Sequence, residues 1–310
     1  MVLEGQLLPD AALKPVYDKV AWVYVYRDFS NSDADRAAER VSIRCGITAW
    51  PGLVLMDPST MQVIGEARRD KDGFVADLTA AAARAKKGGK ALDEWKAAEA
   101  KVAALHANPT AGAAAKLVED ADIVVRTLAL RVLVAKEPGR VAERAADLLA
   151  VPNDAFRFEV CDALEKNANP KAARALDAVL ADPKDSRNPN RLRMEAAQAL
   201  AACGDAASVA ALAPFASSGA FYNGLTGGSV DALAAIAARH PESKEAVKKV
   251  LVDAYPAPPD PAKDARAPKF AEALAKKVHA ALKAVTGKDV KFPEVYDEDG
   301  RTELLKSWQR

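Results

Sequence analysis

A chain of 310 residues exceeds one ordinary core, because single domains usually hold about 100–200 residues, and two or three units are expected. Half of the residues are apolar but only 6% are aromatic, and Ala-rich segments run from about position 75 to 285, the composition of closely packed helices. Forty-four basic against forty-three acidic side chains leave a formal charge of +1, which excludes a global field drawing the protein to nucleic acid or anionic lipid.

The opening MVLEGQLLPD has neither a basic n-region nor an apolar h-region, so as written it is no export signal and the cytoplasm is the expected compartment. A longer natural N-terminus would instead allow an exported or periplasmic protein. VAWVYVYRD (20–28) is a β-branched and aromatic run that suits a buried strand. In the next segment Ser32 or Asp33 caps a helix whose Ala37, Ala38 and Val41 face inward, and Gly46 ends it. GLVLMD (52–57) and QVIGEA (62–67) read as an antiparallel hairpin turning around Pro58, Ser59 and Thr60. Asp72 and Gly73 lead into a closing helix from Phe74.

This order of elements, with Gly46 and Ile47 shortly before Pro51 and the LVLMDP that follows, resembles the thioredoxin fold over residues 9–88. The resemblance implies a cis Trp50–Pro51 bond opening the strand that faces the redox site, with the preceding backbone free to pair with a substrate strand. It also implies a Cys-x-x-Cys at a helix start, and this chain has none. Either the domain has lost its catalytic half, or the chain starts downstream of a longer natural one that carries the dithiol. Cys45, Cys161 and Cys203 are widely spaced and odd in number, so no disulfide framework is expected, and Cys45 reads as a partly buried, inert thiol.

Self-similarity appears further on. VVRTLALRVL (124–133), AFRFEVCDAL (155–164) and RLRMEAAQAL (191–200) align with Arg126, Arg157 and Arg193 in register, separated by 31 and 36 residues. The helix after each carries a stripe at i, i+4, i+7, i+8: Val141, Ala145, Leu148, Leu149; then Ala172, Leu176, Val179, Leu180; then Ser208, Leu212, Phe215, Ala216. The extra residues of the second interval fit an insertion in DPKDSRNPN (182–190). A fourth pair follows, with Val247, Leu251, Ala254 and Tyr255 repeating the stripe and Asp231 replacing the arginine. Spacing, stripe and turn residues over 109–256 resemble HEAT repeats. That resemblance implies a solenoid in which each pair buries its core only against its neighbours. Arg126, Arg157 and Arg193 read as a structural ladder to acids or carbonyls of adjacent repeats.

KALDEWKAAEAKVAALHA (90–107) reads as a helix capping the first repeat. After the array, AYPAPPDPAKDARAPK is Pro-rich, and a last helix over 269–287 leads to an aromatic-bearing tail. The tail either folds over the final repeat or docks elsewhere. His106, His240 and His279 stand apart without a metal-type partner and read as solvated or capping; TGKD and LTGGS lack the full phosphate-loop pattern. Glu119, Asp120 and Asp122 suit the positive end of a helix dipole. SSGAFYNGLTGGS (217–229) reads as a glycine-rich loop presenting Phe221 and Tyr222, either to a partner or into the helices.

The expected fold is mostly α: a small α/β thioredoxin-like domain (1–88), a linking or capping helix (89–108), HEAT-like repeats (109–256), and a Pro-rich linker, last helix and tail (257–310). The expected function is a non-catalytic scaffold binding another protein or peptide, with Trp50, Pro51, Phe221 and Tyr222 as candidate contacts. A thiol-disulfide oxidoreductase or redox adaptor lacking its dithiol segment is the alternative. No cofactor, metal, nucleic-acid partner or membrane span is expected.

Overall fold

The computed structural model describes residues 32–47, 53–57, 62–68, 70–84, 91–217, 223–259 and 266–309, together with Val25 and Ser30. These residues are mostly helical, with one two-stranded sheet among them. No described helix is long and apolar enough to cross a membrane. The chain divides into two compact units, Met1–Val132 and Leu133–Arg310.

In the first unit, α1 (Asp33–Cys45) starts at Ser32, whose Oγ accepts the Asp35 N–H at 3.1 Å. It stops at Gly46, where φ of 64° lies in the left-handed region and the amides of Gly46 and Ile47 return to Ile43 and Ser42. The inward face differs from the apolar pattern: Ala37 is exposed and Val41 half-buried, while Asp35, Ala38, Ser42 and Ile43 are buried. Ser42 takes an inward position because its hydroxyl donates to Ala38 O at 2.8 Å, which removes the cost of burying it.

Strands β1 (Val54–Asp57) and β2 (Gln62–Glu66) pair antiparallel as the hairpin pattern predicts, with a bulge between Leu55 and Met56. The closing helix α2 (Lys71–Arg84) begins earlier than expected, since Asp70 rather than Asp72 caps it by accepting the Gly73 N–H at 2.8 Å. Phe74, Leu78 and Ala81 form its buried stripe, and it packs on both strands. The expected strand at 20–28 lies outside the described residues except for Val25.

Helices α3 (Ala91–Ala107), α4 (Ala111–Leu117) and α5 (Ile123–Lys136) complete this unit, whose boundary at Val132 falls within α5. Ile43 of α1, Ala98 and Val102 of α3, and Val124 and Val125 of α5 form one buried cluster, with Leu117, Ile123 and Leu128 packed against it. Each large aliphatic side chain buried there contributes roughly 1.5–3 kcal/mol. Ion pairs from Arg40 to Glu99, Arg44 to Asp122 and Arg131 to Glu39 border the same junction.

The second unit is built of helix pairs. A broken helix, α6 (Pro138–Glu143) and α7 (Ala145–Leu149), precedes α8 (Asp154–Asn167). Next come a 3-10 turn (Pro170–Ala172) with α9 (Ala173–Ala181), then α10 (Pro189–Cys203) and α11 (Ser208–Ala216). After these lie α12 (Gly224–Arg239), a 3-10 turn (Pro241–Ser243) with α13 (Lys244–Asp253), α14 (Ala267–Thr286) and α15 (Glu298–Gln309).

The packing alternates. Helix α8 touches α10, α10 touches α12 and α12 touches α14, while α7 touches α9, α9 touches α11 and α11 touches α13. Every residue of the four repeated stripes is buried except Phe215, which is half-buried. The polar member, Ser208, is satisfied: its hydroxyl donates to Asp177 Oδ2 at 3.3 Å and accepts from Arg174 at 3.2 Å. The insertion at 182–188 is tied down from α8, where Asp154 Oδ2 accepts the N–H groups of Arg187 and Asn188 at 2.9 Å each.

Helix α14 continues the row of first helices and ends at Gly287, which is left-handed at φ 71°. The tail turns back, since Trp308 of α15 is fully buried and donates to Tyr255 at the end of α13. His279 is not solvated, contrary to the expectation for an isolated histidine on a charged helix. It is 7% exposed, with Nδ1 3.0 Å from Tyr255 Oη and Nε2 2.9 Å from Val290 O. The apolar stripe of α14, not its lysines, sets the face on which His279 falls.

Candidate functional site

Trp50, Pro51, Phe221 and Tyr222 lie outside the described residues. The three aligned arginines are described. Arg126 donates to Asp120 O at 3.0 Å and Glu119 O at 3.1 Å. Arg157 donates to Ala150 O at 3.4 Å and to Lys184 O. Arg193 donates to Leu180 O at 2.9 Å and lies over the Phe215 ring. Each links the start of one helix to carbonyls at or just beyond the end of another, groups with no partner inside their own helix. Arg157 is the most enclosed, its side chain 3% exposed beside Asp154 at 6%.

Other groups singled out in the sequence are occupied structurally. Asp122 Oδ1 accepts from the amides of Val124 and Val125, capping α5, while Oδ2 pairs with Arg44, whose guanidinium lies 4.6 Å from the Trp95 ring centre. Burial opposes ionisation of Asp120, yet Lys101, the Asp122 N–H and Arg126 together hold its carboxyl below the usual range. Cys45, Cys161 and Cys203 are buried and form no disulfide, Cys45 more deeply than its expected partial burial. Burial, then the negative charge of Glu195, pushes the Cys161 thiol far up; burial likewise raises Cys203, which donates to Leu164 O. Among the described residues no group of three His, Cys, Asp or Glu side chains is placed to hold a metal.

The segment read as a glycine-rich loop is a helix from Gly224 onward. Asn223 caps it by accepting the Thr226 N–H at 2.9 Å. Buried Ser229 donates to Leu225 O, and buried Thr226 donates to Asn223 Oδ1. Glycine costs about 1 kcal/mol against alanine inside a helix, so tertiary packing must offset the propensity of GLTGG. It does so by close approach: a β-carbon at Gly224 would lie 2.5 Å from Met194 Sδ, and one at Gly228 would lie 3.6 Å from Gln198 Cγ.

The same face leaves a groove of about 390 Å3. Gly224, Gly227 and Gly228 form its wall on α12, Gln198 and Ala201 come from α10, Glu165 from α8, and Asp231 and Lys277 from α12 and α14. Lys277 pairs with Asp231 at 2.7 Å, which gives the fourth pair's replacement of arginine by aspartate a structural use. Glu165 and the Gln198 amide have no hydrogen-bond or ion-pair partner among the described residues. Among the described residues the groove is thus lined by glycine backbone and by the side chains of Glu165, Gln198, Asp231 and Lys277. Its sequence signal was the i, i+3, i+4 spacing of Gly224, Gly227 and Gly228 directly after Asn223.

No family model, curated protein or solved structure matches this chain.

Proposed function

We propose that the protein is a non-catalytic interaction scaffold: a HEAT-like solenoid, joined to a thioredoxin-like domain without its dithiol, that binds a polypeptide segment at the glycine-walled groove. The observation that carries this reading is the succession of α8, α10, α12 and α14, one against the next, with the groove opening across all four. A row of stacked first helices offers side chains from several repeats to one ligand. The glycines favour a polypeptide, because without side chains they let an extended chain lie close against the wall. Buried thiols held in their neutral form support binding over thiol chemistry in the second unit.

Selection of a random peptide library on the immobilised whole chain tests this reading. Peptides retained by the native chain and lost with Gly228→Leu, which fills the groove, are the expected result, provided the variant keeps its melting temperature. Gln198→Ala, on the opposite wall, serves as a second variant. Failure to select any peptide, or peptides indifferent to both variants, would sink the reading.

A further inference from the structure

Among the described residues the groove carries one carboxylate with neither a hydrogen-bond nor an ion-pair partner. Asp231 and Lys277 neutralise each other across α12 and α14. Glu165 on α8 has no partner among the described residues, although its neighbours Asp162 and Lys166 are paired together at 2.7 Å. Its field reaches inward, where after burial it helps raise both Cys161 and Cys203. On the same groove, the amide oxygen of half-buried Gln198 has no partner among the described residues. Among the described residues the lining contains no large apolar side chain, so those residues recognise charge and shape rather than an apolar anchor. An anion is disfavoured, because Lys277 is already paired and Asn223 holds the Thr226 amide at the start of α12.

We propose that this groove takes up the guanidinium side chain of an arginine presented by a partner polypeptide, Glu165 pairing with it and Gln198 accepting beside it. This rests on the scaffold reading above and names the anchor of its partner. The planar fork of an arginine suits a carboxylate and a neighbouring carbonyl better than a compact ammonium does. The aliphatic stem then lies beside Gly228, where a β-carbon would meet nothing nearer than Gln198 Cγ at 3.6 Å. A volume of about 390 Å3 falls within the roughly 300–1,000 Å3 of small-ligand sites, enough for one long side chain and its flanking peptide groups.

The test uses the whole chain, labelled with nitrogen-15, titrated with N-acetyl-arginine amide and with its uncharged isostere N-acetyl-citrulline amide. Saturable shifts of the Gly224, Gly227 and Gly228 amides with the arginine probe are expected, with at least about fivefold weaker binding for citrulline and for Glu165→Gln, since the charge-assisted bond is lost. Glu165 is exposed, so this variant should keep the native fold and its spectrum reports whether it does. Equal binding of both probes, or shifts confined to other residues, would overturn the proposal. The library separates the two readings: selected peptides that need the groove but lack arginine would leave the scaffold standing and remove the arginine anchor.

Discussion

Trp308 Nε1 donates to Tyr255 Oη at 3.0 Å, which joins the last helix of the chain to the end of α13. The same hydroxyl lies 3.0 Å from His279 Nδ1, and His279 Nε2 faces Val290 O at 2.9 Å. The carbonyl can only accept, so Nε2 carries the proton of the neutral ring. Tyr255 must then donate to Nδ1 while accepting from Trp308, so the relay Trp308–Tyr255–His279–Val290 runs in one direction with each of its donors and acceptors matched. The Phe292 and Trp308 rings close on His279 edge-on.

Tyr255→Phe keeps the ring and removes the relay, leaving the Trp308 N–H and His279 Nδ1 buried without partners. It should cost about 1–3 kcal/mol in urea unfolding, the usual penalty for an orphaned buried group. Tyr296→Phe, which loses one bond to Pro256 O, should cost less. Equal unfolding midpoints for Tyr255→Phe and the native chain would contradict the relay.

Acid should weaken the same junction. Burial, aided by Lys283, holds the His279 imidazole below its ordinary value of about 6.5, against the opposing influence of Val290 O and Asp289. The unfolded chain then takes up a proton that the folded chain resists. Stability is fully present above about pH 6.5 and is lost as pH falls through the folded-state value. Urea midpoints between pH 8 and 5 should show this slope in the native chain and a flatter one in His279→Gln. Parallel slopes would refute it. The depressed carboxyls of Asp120 and Asp205 act in the same direction, but only at lower pH, near and below the ordinary carboxylate value of about 4.

The aligned arginines should differ in worth according to their burial. Arg157→Met leaves buried Asp154 without its cation and the Ala150 and Lys184 carbonyls without a donor, a loss of about 3–5 kcal/mol. Arg126→Met, at a half-buried position with two carbonyl partners, should cost about 0.5–1.5 kcal/mol per bond lost. Thermal melts of the two variants side by side check the order, and Arg126→Met as the more damaging change would reverse it.

Two glycines predict opposite signs. A β-carbon at Gly204 would lie 2.6 Å from Leu200 O and 2.8 Å from Ile236 Cδ1, so Gly204→Ala should destabilise by about 1–3 kcal/mol. Gly139, inside α6, faces open space, so Gly139→Ala should gain up to about 1 kcal/mol through helix propensity. Urea midpoints shifting the same way in both variants would count against this packing.

Much of the helical pattern was legible because apolar periodicity and capping act locally. Ser32 and Gly46 mark helix ends in the sequence and stand at them in the structure. The stripes from Val141, Ala172 and Val247 are buried as their spacing predicts. What escaped was set by partners distant in the chain. Ser208 breaks a stripe on paper but is inward because Asp177 and Arg174 meet its hydroxyl. His279 looks solvated among lysines until the tail brings Tyr255 and Val290 to both ring nitrogens. GLTGG has the propensity of a loop and becomes helix because α10 packs close against it. Of the groove, only the glycine spacing was visible, since Glu165, Gln198 and Lys277 converge on it from three different helices.

Hydrogen exchange of the whole chain, alone and with a peptide drawn from the library, tests the scaffold claim most directly. The account predicts slowed exchange over residues 224–231 of α12 and 198–201 of α10, with the remaining helices unchanged. Binding that leaves those amides at their free rate and slows exchange elsewhere would contradict it.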